Sequence, residues 1–151
     1  MRLRFWAVLL LGFLFLPMSS FAAGKEIAVI DRNGQQVRFH VEMAITPEQR
    51  AQGLMWRQEM PRDAGMLFIF PRISRQTMWM KDTPLSLDML FIGHDGRILR
   101  IVEGTIPFST RVIASRRPIK AVLELNAGSV SRHGIRTGDR LIQPKLQISS
   151  N

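Results

Sequence analysis

Trp79, Lys81, Asp82, Thr83 and Asp88 fall inside one short stretch, Thr77 to Phe91, which reads TMWMKDTPLSLDMLF. An ammonium, two carboxylates, a hydroxyl and an indole gathered so closely could hold a small polar molecule, with the indole as an apolar or stacking wall. Pro84 removes a ladder donor and biases Thr83 away from helix, so Lys81 to Pro84 reads as a turn or bulge between two strand-like apolar runs. Arg57 and Glu124 are charged residues beside other apolar runs, where an unpaired charge is costly to bury. The expectation is one network of Arg57, Lys81, Asp88 and Glu124 beside Trp79. The structural alternative is a set of ion pairs that only fixes strand register.

Other chemistries are weaker in the sequence. Asp82 and Asp88 supply the two carboxylates that glycoside cleavage needs, but a separation of six positions across a turn does not set their distance. Ser86 and Thr83 have no neighbouring His, and no nucleophile elbow occurs. A hydrolase acting on an envelope polymer or glycan is therefore the second reading. Seven methionines lie beyond the first 22 residues, namely Met43, Met55, Met60, Met66, Met78, Met80 and Met89. Thioethers suit Cu(I), which makes copper binding a third reading; Met is also an ordinary core filler. His40, His94 and His133 show no metal-ligand spacing. With no Cys in the chain, disulfides, thiolate metal sites and thiol catalysis are excluded. No cofactor is expected.

The elements that must position these residues read mostly as strands. Ile27 to Ile30 and Val37 to Met43 flank Asn33-Gly34, and a second hairpin is signalled by Asp95-Gly96 between Leu85–Ile92 and Arg97–Glu103. Thr46-Pro47-Glu48-Gln49 has the form of a helix start with a capping box. Met66 to Phe70 is an unbroken apolar run that fits a strand buried on both faces, with Pro71 as its stop. Gly104 to Arg117 is a long irregular excursion, of the kind that often carries function. Ile119 to Leu125 is a further strand, Gly128 to His133 a short helix, and Arg140 to Ile148 a last strand bent at Pro144. The sum is an α+β, mostly antiparallel domain, barrel-like or sandwich-like, with one or two short helices over residues 26–149.

At 151 residues and 46% hydrophobic composition the chain is long enough for one domain with a real core. Arg2 and Arg4, the 12-residue apolar run Phe5 to Leu16 and the small-x-small triplet Ser20-Phe21-Ala22 have the order of a secretory leader. Residues 1–22 are thus expected to be a signal peptide, and the product periplasmic or extracellular. The apolar run is short of the roughly 20 residues of a spanning helix, so a membrane link arises only if the leader is kept. The net charge of +9 falls by two when Arg2 and Arg4 are removed. For an exported protein this excess points to an anionic envelope component rather than to nucleic acid, or simply to a basic soluble surface.

Several ordered motifs resemble one family. They are Gly53-Leu54-Met55 with Arg57, Gly65-Met66-Leu67-Phe68, Trp79-Met80-Lys81 with Thr83, Leu87-Asp88, Asp95-Gly96-Arg97-Ile98, Leu123-Glu124-Leu125 with Ala127-Gly128, and Gly138-Asp139. Over about residues 42 to 142 the chain resembles the domain-of-unknown-function 192 family. The resemblance implies a small exported or membrane-associated bacterial protein with a compact β-rich domain, and it implies no activity. Two positions depart from the family pattern: Asp82 stands where Asn is usual, and Ser86 stands where Pro usually precedes Leu-Asp. On this reading the protein is an uncharacterised exported binding or accessory module that takes a small ligand or an anionic envelope component. Its site centres on Trp79, Lys81, Asp82, Thr83 and Asp88, with Arg57 and Glu124 in support.

Overall fold

A computed structural model describes residues 26–147. The expected leader, residues 1–22, lies outside them. Asn33 and Gly34 both adopt positive φ, 52° and 91°. That is what a two-residue turn of matching twist requires between β1 (Glu26–Arg32) and β2 (Gln35–Ala44). The capping box at Thr46 forms in full: Thr46 Oγ1 accepts from the Gln49 N–H, and Gln49 Oε1 accepts from the Thr46 N–H at 3.0 Å. It opens α1 (Pro47–Gln52).

β3 (Ala64–Ser74) is buried on both faces as far as Phe70. Pro71 does not stop it. The strand continues to Ser74 through a register shift against its neighbour, which is where a residue without an N–H is tolerated. β4 (Thr77–Met78) is only two residues long and pairs with β7 (Ile113–Ala114) within the irregular excursion. The long hairpin β5 (Leu87–Ile92) and β6 (Ile98–Val102) turns at Gly96, and β8 (Ile119–Asn126) follows. After α2 (Ser129–His133) the last strand is short: β9 covers Arg140–Ile142, and Pro144 begins a helix, α3 (Pro144–Gln147), instead of bending a strand. Its fixed φ suits a first helical turn. Three short helices are thus present among the described residues.

The main sheet has the order β6-β5-β8-β3-β2-β1-β9 and is antiparallel except at β2–β3, which run parallel with His40 opposite Ala64. Its two ends approach each other. Arg97 and Arg140 form an isolated bridge, and Leu141 N–H donates to the Gly96 carbonyl at 2.8 Å. A Cβ on Gly96 would sit 2.6 Å from that Leu141 oxygen, so the closure depends on glycine there. The curl gathers side chains from all seven strands into one core, with Ile30, Phe39, Leu67, Leu90, Ile98, Leu123 and Leu141 among them, sealed by Val130 and Leu146 of the helices. The expected α+β, mostly antiparallel domain is therefore found, as a curled half-barrel. A second core forms on the outer face of the central strands, where Met66, Phe68, Met80, Leu87, Met89 and Phe91 pack under loops.

Asp88 belongs to the inner side. Along β5, Leu87 and Met89 face the second core, and Asp88 points the other way. It is wholly buried and accepts the Gly104 N–H at 3.0 Å and the Val130 N–H at 2.9 Å. Gly128, which precedes α2, has no side chain to cap that helix, and Asp88 satisfies the first turn from across the fold. Asp88→Ala leaves the buried Val130 N–H and the more exposed Gly104 N–H without their acceptor, and is expected to lower stability by about 1–3 kcal/mol in urea unfolding. A loss below about 1 kcal/mol would show that water reaches both donors.

Candidate functional site

A short turn holds the central residues. Thr83 N–H donates to the Met80 carbonyl at 3.1 Å, and Thr83 Oγ1 donates to the Lys81 carbonyl at 3.0 Å. Two neighbouring loops lean on the same turn. Trp56 N–H donates to the Asp82 carbonyl at 2.7 Å, Phe108 N–H to the Thr83 carbonyl at 3.0 Å, and Met80 N–H to the Ser109 carbonyl at 2.9 Å. Asp82 has φ 53°, a left-handed conformation that Asp and Asn adopt more readily than other side chains. This gives a backbone reason why Asp can stand where the family has Asn.

Above the second core lies a hollow of about 70 Å³. Leu54, Phe68, Met80 and Leu87 wall it, Trp79 and Lys81 stand at its rim, and Glu124 lines its inner end. Trp79 is 49% exposed, and the Lys81 ammonium lies 5.8 Å from the centre of its ring. Lys81 Nζ also pairs with Asp82 Oδ2 at 3.1 Å, a solvent-facing contact that contributes little to stability.

Glu124 is the unusual group. It sits on β8 directly between Met66 of β3 and Met89 of β5. β3 can lie this close only because residue 65 is glycine, since a Cβ there would be 2.5 Å from the Glu124 carbonyl oxygen. The Glu124 side chain is buried, and among the described residues no hydrogen-bond or ion-pair partner reaches its carboxyl. Burial pushes its pKa from 4.5 up to about 8. At neutral pH it is a neutral acid, able to donate a hydrogen bond into the hollow.

The expected four-membered network does not form. Arg57 makes a bidentate pair with Glu42, at 2.5 and 2.8 Å, which holds its guanidinium above the usual range. Lys81 pairs with Asp82, Asp88 serves backbone amides on the other side of the sheet, and Glu124 stands alone. Strand parity separates Asp88 from the rest: it alternates with Met89, whereas Glu124 shares the outer face with Val122. Trp79, Lys81, Thr83 and Glu124 do line one hollow, with Asp82 in the turn at its edge. Sequence reasoning missed Arg50, Leu54, Met55 and Phe68 as lining residues. The signal for them was Gly53, whose Cβ position lies 3.2 Å from the Phe68 ring and so draws the end of α1 onto the core. The methionines Met66, Met80 and Met89 are buried in the second core, Met78 is only partly buried against it, and Met55, Met78 and Met80 line the hollow.

The fold and the hollow define a small α+β domain with a curled sheet and a roofed outer face. Its family profile, described as an uncharacterized ACR, matches residues 28–143. The chain belongs to the domain-of-unknown-function 192 family. It is similar to a Sinorhizobium meliloti 1021 protein described as a candidate transcription regulator, with 49% identity over 78% of this chain and 92% of that one, at a TM-score of 0.77. It is also similar to a protein of unknown function from Novosphingobium aromaticivorans DSM 12444, with 31% identity over 82% and 90% of the two chains and a TM-score of 0.77. No curated protein matches the chain.

The raised pKa fixes a pH dependence. An unfolded carboxyl loses its proton near pH 4.5 and the folded Glu124 near pH 8. The native state therefore binds more protons across that window, and stability falls as pH rises through it. The contribution is fully present below the lower value and lost above the upper one. Glu124→Gln removes the titration, so its stability relative to wild type should improve between about pH 5 and about pH 9, by on the order of 5 kcal/mol at most. Urea unfolding at the two pH values measures this, and parallel behaviour of the two proteins would mean that Glu124 ionises normally.

Proposed function

We propose that this protein is an exported, non-enzymatic binding module whose hollow beside Trp79 receives a small group bearing a hydrogen-bond acceptor. The observation that carries this reading is the buried Glu124, which has no partner among the described residues, in a hollow walled by Leu54, Phe68, Met80 and Leu87 and edged by Arg50, Thr77, Lys81 and Thr83. A buried polar group without a partner is costly, and a ligand carbonyl or hydroxyl would relieve that cost. A hollow of about 70 Å³ suits the end of a molecule, such as a carboxamide or acetamido group, with the remainder against Trp79. Export is supported by the charged, apolar and small-residue order of positions 2–22. No helix among the described residues is long and apolar enough to cross a membrane.

Binding is favoured over glycoside hydrolysis because Glu124 is the only carboxyl lining this hollow among the described residues. Asp82 and Asp88, the two carboxylates that the hydrolase reading would use, are separated: Asp82 pairs with Lys81 in the turn, and Asp88 faces the inner core. A helix-turn-helix regulator is disfavoured by helix length: α1 has six residues, too few for a recognition helix. One second reading has its own support. Met55 and Met78 join Met80 along the hollow, so a soft monovalent cation such as Cu(I) has thioether ligands there.

Titration of a Trp6→Phe/Trp56→Phe protein with acetamide and N-acetylglucosamine, followed by Trp79 fluorescence, tests the binding reading. Saturable quenching is expected near pH 6.5 and should weaken severalfold above about pH 8.5, as Glu124 ionises. Glu124→Gln keeps a donor and should bind without that pH dependence, whereas Glu124→Leu should not bind. Binding that is indifferent to both substitutions would overturn the assignment. Retention of Cu(I) through gel filtration, lost in a Met55→Leu/Met78→Leu protein, would favour the cation instead.

A further inference from the structure

A second, larger hollow of about 390 Å³ opens on the other side of Met80, between β6 and the excursion that follows it. Its floor is apolar, made by Met80, Val102 and Ile113, and three arginines line it: Arg100, Arg111 and Arg116. Arg100 lies 5.4 Å from the centre of the Phe91 ring and donates to the Ala114 carbonyl. Burial and the nearby Arg116 charge both lower its pKa, so two guanidiniums are held close in a partly dry place. Among the described residues none of the three has an ion-pair partner. Glu103 stands at the rim, exposed and unpaired with them. A further hollow beyond Arg100 and Arg116 adds Arg117.

Exposed apolar side chains surround this cationic groove. Ile106, Phe108 and Val112 are 73%, 63% and 61% exposed, and all lie on the same excursion. That segment, Gly104 to Arg117, contains three arginines and no acidic residue. It is not loose chain. Met80, Thr83 and Gln76 hold it through main-chain hydrogen bonds to Ser109, Phe108 and Ser115. Phe108 is fixed with φ 59°, so the loop presents its apolar residues from a defined backbone. Arginines that want anions, next to aliphatic groups that want to leave water, match the boundary between lipid headgroups and acyl chains. A hydrated polyanion such as nucleic acid would leave Ile106 and Val112 in water.

We propose that this face docks on an anionic phospholipid bilayer, with a phosphodiester headgroup seated among Arg100, Arg111 and Arg116 and with Ile106, Phe108 and Val112 entering the interface. The argument for this docking face does not rest on the Glu124 hollow. The test is vesicle flotation of protein recovered from an expressing host, with its N-terminus defined by mass spectrometry. Wild type should float with vesicles of mixed phosphatidylglycerol and phosphatidylcholine, and not with phosphatidylcholine alone. Arg111→Glu/Arg116→Glu should reduce flotation at least about tenfold, as expected for reversing charges of roughly 1 kcal/mol each at a lipid surface. Arg38→Glu/Arg62→Glu, which changes the net charge equally outside the groove, should not do so. Ile106→Ser/Phe108→Ser should also weaken flotation while circular dichroism stays that of wild type. Equal loss in the two arginine pairs, flotation on neutral vesicles, or tighter retention on duplex DNA than on vesicles would each overturn the proposal. Competition by free glycerophosphate at concentrations comparable to the lipid would also overturn it, since the site would then be for a soluble anion.

Discussion

The central strands β3, β5 and β8 are buried on both faces, and this double burial is the constraint from which the rest of the structure follows. One face is covered by curling the sheet on itself and plugging the curl with short helices. Among the described residues the other face has no long helix, and its only second sheet is the two-residue pair β4–β7. It must be covered by irregular chain: the segment after α1, the turn at Lys81 to Thr83 and the excursion from Gly104 to Arg117. Irregular chain cannot bury its own amides without partners, so these three pieces satisfy one another through Trp56, Asp82, Thr83, Phe108 and Met80. A cover built this way packs less evenly than a helix, and hollows remain beneath and beside it.

That origin explains why the polar residues of the site do such different work. Asp88 is structural, a carboxylate enclosed by the amides it accepts. Arg57 and Glu42 form a bidentate clasp near the segment after α1. Asn126 reinforces this edge by donating to the Met60 and Pro61 carbonyls at 3.0 and 2.9 Å. Glu124, by contrast, is buried with no hydrogen-bond or ion-pair partner among the described residues. A protein gains no stability by burying a lone carboxyl, so its presence fits a group held ready for something that comes from outside.

Local features of the fold were readable from sequence where one residue type meets one backbone requirement. Asn33-Gly34 and Asp95-Gly96 gave their hairpins, and Thr46 with Gln49 gave the start of α1. Features set by distant contacts were not readable. Nothing near β2 shows that it pairs in parallel with β3, or that β9 stops after three residues and yields to a helix at Pro144. Pro71 looked like a terminator and proved to be a bulge, because the neighbouring strand, not the proline, decides where pairing ends. Within the site, the period-two alternation of Leu87, Asp88 and Met89 already separated Asp88 from the outer face. Nearness in sequence groups Asp88 with Lys81 and Asp82 all the same, because it ignores which face a strand residue takes. Glu124 joined the hollow through strand order, which no local pattern reveals.

Met80 is the partition between the two hollows, since its side chain lines both. An unbranched thioether with three rotatable bonds is the most easily moved wall that a protein can build. Space gained on one side of it is space surrendered on the other. A change of rotamer at this one side chain would alter both chambers at once, with no displacement of the backbone.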